Sequence, residues 1–159
     1  MLKRHIVVTK GIGKANTELS AFDKALIDAG IADHNLIHLS SIIPPKSEIR
    51  KEKYELKAEE FGNKLYVVIA EMRESRVSKK ACAGLGWVLS EDGSQKGLFV
   101  EHEGESEEEV QGLIEKSLSE MKKNRADNFG PVQSEIASIL CESSPVCAVV
   151  AAVYKSEAW

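Results

Sequence analysis

The chain has 159 residues, of which 43% are hydrophobic and 29% charged, and its 21 basic and 25 acidic side chains leave a net charge of −4. This size and composition describe one globular domain, or one subunit of an oligomer, and exclude a largely disordered chain. The negative balance excludes a basic nucleic-acid binder, and no apolar run reaches the roughly 18–20 residues of a membrane helix.

The start, Met1 to His5, shows no signal-peptide core, and the cysteines Cys82, Cys141 and Cys147 form no CxxC pair. These features suit a cytoplasmic protein with buried thiols, with neither nucleic acid nor membrane as partner. The β-branched run Ile6–Thr9 predicts a strand, and Lys10–Asn16, with two glycines, a loop. Leu19, Phe22, Leu26 and Ala29 recur at helical spacing, and Gly30 stops that helix. Asn35–Leu39 is extended again and must end near Ser40 and Ser41, because Pro44 and Pro45 follow closely.

Residues 46–60 hold five basic and five acidic side chains and predict a solvated loop or short exposed helix. Strands are expected at Leu65–Ala70 and Ala81–Leu89. The turn Glu91–Ser94 joins the second to Gly97–Val100 as a hairpin. Ser106 with Glu109 forms a capping box for a helix striped by Val110, Leu113, Ile114, Leu118 and Met121 and ended by Lys122 and Lys123. Ile136–Leu140 and Val146–Tyr154 complete the strands, the last of them apolar enough to be buried on both faces. Strands outnumber helices, and the order favours an α+β fold with helices packed on an antiparallel or mixed sheet.

Several segments invite chemistry. Gly11-Ile12-Gly13 starts like a dinucleotide fingerprint but lacks the third glycine and a downstream acid, so it is read as a plain connection. His5, His34, His38 and His102 show no metal spacing, and no metal site is expected. Six glutamates lie between Glu101 and Glu109, and most suit the start of the helix that follows. Glu101 differs, since it follows the strand Gly97–Val100 and a carboxylate at a strand end can face a cleft and act as an acid.

Ser40-Ser41 at a strand end is open to two readings. One is a simple turn. The other is self-cleavage, in which a serine hydroxyl attacks the preceding carbonyl in a strained peptide, an ester forms, and elimination breaks the chain. The residue left behind is dehydroalanine, which hydrolyses to a pyruvoyl group.

The segment Asn35-Leu36-Ile37-His38-Leu39-Ser40-Ser41-Ile42-Ile43-Pro44-Pro45 closely resembles the self-cleavage site of the pyruvoyl-dependent arginine decarboxylases. Ala21–Leu26 with Ala29–Ile31 resembles that family's first helix, Gly97–Gly104 its catalytic strand, and Cys147–Ala152 with Tyr154 its closing strand. The resemblance implies a four-layer αββα sandwich assembled as a homotrimer or dimer of trimers, with active sites between neighbouring subunits. It implies cleavage between Ser40 and Ser41 of a single domain, 1–159, into a small chain 1–40 and a large chain 41–159. Ser41 then becomes a covalent pyruvoyl cofactor, with no metal and no pyridoxal phosphate.

The same resemblance assigns Asn35 to the processing and active site, Glu101 to proton donation, and Asp23 to the guanidinium of the substrate. It implies conversion of L-arginine to agmatine and carbon dioxide through a Schiff base, the pyruvoyl group acting as electron sink. Glu101 then needs burial, or a like-charged neighbour such as Glu103, to stay protonated near neutrality. Lys10–Asn16 and the stretch 46–60 depart from the family pattern and bear on substrate choice. Two other readings are a decarboxylase of another amino acid on the same scaffold and an unprocessed binding or structural relative.

Overall fold

Two glycines in the first strand decide how the outer layer packs. The computed structural model describes residues 2–159, so Met1 lies outside the description. Strand β1 (Arg4–Lys14) runs straight through the segment expected to be a loop. A Cβ on Gly11 would lie 2.1 Å from the Ala25 carbonyl oxygen, and one on Gly13 would lie 2.2 Å from that of Ala21. The glycines therefore let helix α1 (Glu18–Ala29) approach the strand backbone, and no phosphate is needed to explain them.

The same contact corrects the expected face of α1. Its buried residues are Ala21, Ala25 and Ala29, because only small side chains fit over Gly11 and Gly13. Leu19, expected in the stripe, is 67% exposed. Gly30 ends the helix as expected, at φ +80°, and at the start Thr17 Oγ1 accepts from the Ser20 N–H at 3.0 Å.

Strands β2 (Asn35–His38), β3 (Ile42–Ile43) and β4 (Ser47–Lys51) follow. β4 falls in the charged stretch expected to be loop, and it pairs in parallel with β1 from Arg4↔Ser47 to Val8↔Lys51. It is the outermost strand of its sheet, where charged side chains guard an exposed edge, so the charge that suggested a loop marks an edge strand. Then come β5 (Lys64–Glu74), β6 (Lys80–Leu89), β7 (Gly97–Gly104), helix α2 (Glu107–Lys123), β8 (Gln133–Leu140) and β9 (Val146–Glu157). The capping box holds, with Ser106 Oγ accepting from the Glu109 N–H at 3.1 Å.

The strands form a mixed sheet in the order β2-β5-β9-β1-β4 and an antiparallel one in the order β3-β7-β6-β8. Three apolar clusters fill three interfaces. Ala21, Ala25, Ala29, Val149 and Val153 lie between α1 and the mixed sheet. Ile6, Val8, Val68, Trp87, Phe99 and Val150 lie between the sheets. Leu98, Val100, Val110, Ile114 and Leu118 lie between the antiparallel sheet and α2. The result is an α+β fold in four layers, αββα, as the resemblance implied. Strand β9 is buried on both faces, as its composition predicted. No helix among the described residues is long and apolar enough to cross a membrane.

Candidate active site

The chain changes sheets at the two serines. Upstream, β2 pairs with β5, and the Leu39 N–H continues that ladder to the Val67 carbonyl at 2.8 Å. Downstream, Ile42 pairs with Leu98 of β7 in the other sheet. The Ser41 carbonyl accepts from the Phe99 N–H at 2.9 Å. Held on both sides, Ser41 sits at φ +69°, a region that a residue with a Cβ adopts only under constraint.

Glu101 lies inside β7, not after a strand ending at Val100 as expected. Alternation explains its direction. Leu98 and Val100 pack toward α2, and the ring of His102 meets Ser117 there, Nε2 to Oγ at 2.7 Å. Phe99, Glu101 and Glu103 take the opposite face, toward the mixed sheet. Phe99 is buried between the sheets, while Glu101 and Glu103 reach a cleft of about 400 Å³ with Ile69, Ala70 and Glu71. The Ser41 hydroxyl donates to Glu101 Oε2 at 2.8 Å, joining residues 60 apart in sequence.

The cleft is open because both sheets lose their outer neighbour there. β2 accompanies β5 only to Val67, and β3 accompanies β7 only to Leu98, with one further bond at Phe99. Glu101 is accordingly exposed, and the burial expected for it is absent. Glu103 is in place as the like-charged neighbour, on the same strand face.

Tyr154, at the far end of the apolar run of β9, was read only as part of a matching segment. Its hydroxyl donates to the Ile42 carbonyl at 2.7 Å, directly beside Ser41. Burial pushes its phenol pKa up, and the nearby charge of Glu101 adds to that shift. The one signal for it in the sequence is a tyrosine ending a Val/Ala run.

Asn35 and Asp23 are placed elsewhere. Asn35 pairs with Lys64 at the opposite end of β5 from the cleft, and its Nδ2 donates to the Gly62 carbonyl at 2.9 Å. Six residue steps along the strand separate Lys64 from Ala70 of the cleft, a distance of about 20 Å. Asp23 is exposed on the outer face of α1. Ser40 is exposed beside Ser41. No group of histidine, cysteine and acidic side chains suited to a metal occurs among the described residues. The three cysteines are buried and unpaired, and burial pushes the Cys147 thiol up to about 12.

A family model described as pyruvoyl-dependent arginine decarboxylase matches residues 5–158. The chain belongs to this family. A pyruvoyl-dependent arginine decarboxylase of Methanopyrus kandleri is 36% identical over 157 residues, covering 95% of both chains. One from Thermococcus sibiricus is 33% identical over 141 residues, 88% of this chain and 87% of its own. One from Thermoplasma volcanium is 35% identical over 118 residues, covering 73% of this chain and 65% of its own length. A solved structure of pyruvoyl-dependent histidine decarboxylase at pH 8 overlaps 58% of this chain and 50% of its own at 16% identity and a TM-score of 0.42.

Proposed function

We propose that this chain cuts itself between Ser40 and Ser41 and then decarboxylates L-arginine to agmatine with the pyruvoyl group left at position 41. The observation that carries the reading is the Ser41 hydroxyl, held at φ +69° and donating to Glu101 at 2.8 Å. A constrained backbone favours attack on the preceding carbonyl, and Glu101 is in place to take the hydroxyl proton. The Ser41 oxygen attacks the Ser40 carbonyl carbon, the peptide C–N bond breaks, and an ester links the two residues. Elimination releases the Ser40 carboxylate and leaves dehydroalanine, which takes up water and sheds ammonia to give the ketone.

Ser41 fits this role, since it supplies every carbon of the group and sits beside the cleft. A pyruvoyl ketone, once formed, supplies an electron sink for the charge left when carbon dioxide departs. The rest falls to the chain's own side chains. Once the Ser41 hydroxyl is gone, Glu101 faces the cleft, where it can deliver the proton that returns to the α-carbon. Glu71, Glu101 and Glu103 give the cleft a negative surface suited to a substrate carrying a guanidinium. Asn35 stands at the far end of β5 from the cleft and Asp23 is exposed on α1, a placement that suits neighbouring copies completing each other's sites in a trimer or dimer of trimers. The buried, unpaired cysteines support a cytoplasmic setting.

Intact mass under denaturing conditions tests the cleavage. Two species of about 4.4 and 13 kDa are expected from the 17.5 kDa chain, treating residues as average in mass. Cleaved protein given arginine should release carbon dioxide and agmatine. Cleaved protein that turns over a different amino acid overturns the substrate, and a persistently intact chain overturns the mechanism.

A further inference from the structure

The carbonyl of Gly62 is a shared anchor. It accepts from Asn35 Nδ2 at 2.9 Å and from the indole Nε1 of Trp159 at 3.0 Å. The turn that carries it is also tied by Asn63, whose Nδ2 donates to Ser156 Oγ at 3.2 Å, and by backbone. The Gly62 N–H donates to Asp33 at 2.7 Å and the Asn35 N–H to Asn63 at 2.8 Å. Trp159 is the last residue of the sequence and is 85% exposed, so its ring is not there to fill a core. It is nevertheless held in place. Lys64 Nζ lies 4.9 Å from the ring centroid and bonds Glu157 at 3.0 Å, and Glu157 accepts from the Tyr66 hydroxyl at 2.9 Å. The tail beyond β9 is thereby clamped over the turn that orients the Asn35 carboxamide. With Nδ2 directed at Gly62, Asn35 is left with Oδ1 as a free, exposed acceptor.

We infer that Trp159 is a positioning residue. Through Gly62 it fixes the Asn35 carboxamide in the orientation that a neighbouring copy's Ser41 and Glu101 require. This rests on the reading above, that sites are completed between copies. Its distinctive consequence is a direction: Trp159 serves the site of the neighbour, about 20 Å from the cleft of its own chain.

The test uses co-expressed full-length chains carrying different tags, with cleavage followed by intact mass and turnover by agmatine formation. Trp159→Ala alone should lower kcat and the cleavage rate about five-fold, the effect of one lost hydrogen bond, with the melting temperature nearly unchanged. Co-expression with an excess of Glu101→Gln chains should restore it. Those chains lack a working Glu101 but bring an intact Trp159 and Asn35 to the Ser41 of the Trp159→Ala chain. Trp159→Phe, which keeps the ring and loses the N–H, should behave like Trp159→Ala.

The control is Asn35→Ala co-expressed with Glu101→Gln. If that pair recovers activity while Trp159→Ala with Glu101→Gln does not, the role of Trp159 is overturned and the shared site stands. If the control pair also fails to recover, the shared site falls and the role of Trp159 falls with it. Full activity of Trp159→Phe overturns the hydrogen-bonded anchor.

Discussion

The hydroxyl of Tyr154 donates to the carbonyl of Ile42 at 2.7 Å, so the last strand of the chain grips the residue that follows Ser41. Its ring also stands 6.3 Å from that of Phe99, whose N–H holds the Ser41 carbonyl. Tyr154→Phe keeps the ring and removes the grip. It is expected to destabilise the uncleaved chain by about 1 kcal/mol and to slow cleavage several-fold. A time course of intact mass alongside a thermal melt checks both, and unchanged cleavage would show that Ile42 needs no holding.

Ser41 at φ +69° separates two substitutions that should both abolish the proposed cleavage. Ser41→Ala keeps a Cβ in the left-handed region and loses the bond to Glu101. Ser41→Gly loses the same bond and relieves the backbone. The glycine chain should be the more stable of the two, by about 1 kcal/mol, despite the entropy of a freer unfolded chain. Chemical denaturation of the two uncleaved proteins measures the difference directly.

Glu101→Gln preserves shape and removes the proposed proton donor. Loss of a positioned acid costs about 10²–10⁴ in kcat, with a much smaller change in KM. The substitution should also slow cleavage, because the amide cannot take the Ser41 proton. Turnover should therefore be measured on the cleaved fraction alone, and near-normal kcat in that fraction would remove Glu101 from the chemistry.

Gly13→Ala tests the close approach of α1. The added methyl meets the Ala21 carbonyl at 2.2 Å and the Ala25 nitrogen at 2.5 Å, both backbone atoms that no rotamer change can move. A loss of about 3 kcal/mol or more is expected, in the range of severe overpacking. Gly112→Ala, where nothing lies within 4 Å, is the matched control and should be neutral or mildly stabilising.

Glu74 makes stability depend on acidity. It is buried and accepts from the Arg76 N–H at 2.8 Å and from its guanidinium at 3.0 and 2.7 Å. These bonds, the guanidinium first, hold its pKa near 2, below the ordinary carboxylate value of 4.5. A lowered folded-state value means that the contribution is complete above about 4.5 and is lost as pH falls toward about 2. Glu74→Gln should be less stable than the parent by about 1–3 kcal/mol at neutral pH. The gap should close across that acidic window, as urea titrations at pH 7, 4.5 and 3 would show.

The elements that local chemistry specifies were readable from residues alone. Gly30 and Ser106 mark helix ends through bonds their own side chains or backbone make, and those ends stand where expected. What failed was set by contacts distant in sequence. Gly11 and Gly13 look like a loop until α1 lies on them, and Leu19 looks buried until the alanines take the contact. The charges of residues 46–60 hid an edge strand whose partner is β1. In the site, Ser41 and Glu101 were named and the fold brings them together. Asn35 and Asp23 were also named, on the strength of the resemblance, yet in one copy they stand away from Ser41. Tyr154 and Trp159 bond backbone carbonyls, which carry no mark in a sequence.

Strand β1 lies inside its sheet, between β9 and β4, and both neighbours fall after residue 41. Cutting the bond between Ser40 and Ser41 therefore frees nothing, because the first piece is threaded through the second. It changes the order of the folding reaction instead. The uncut chain folds as a single molecule, at a rate indifferent to dilution. A protein cut there as proposed, once unfolded, could return only by an encounter between two separate polypeptides, so its recovery would depend on concentration. The proposed maturation would thus record in the chain that it folded once, before it was cut.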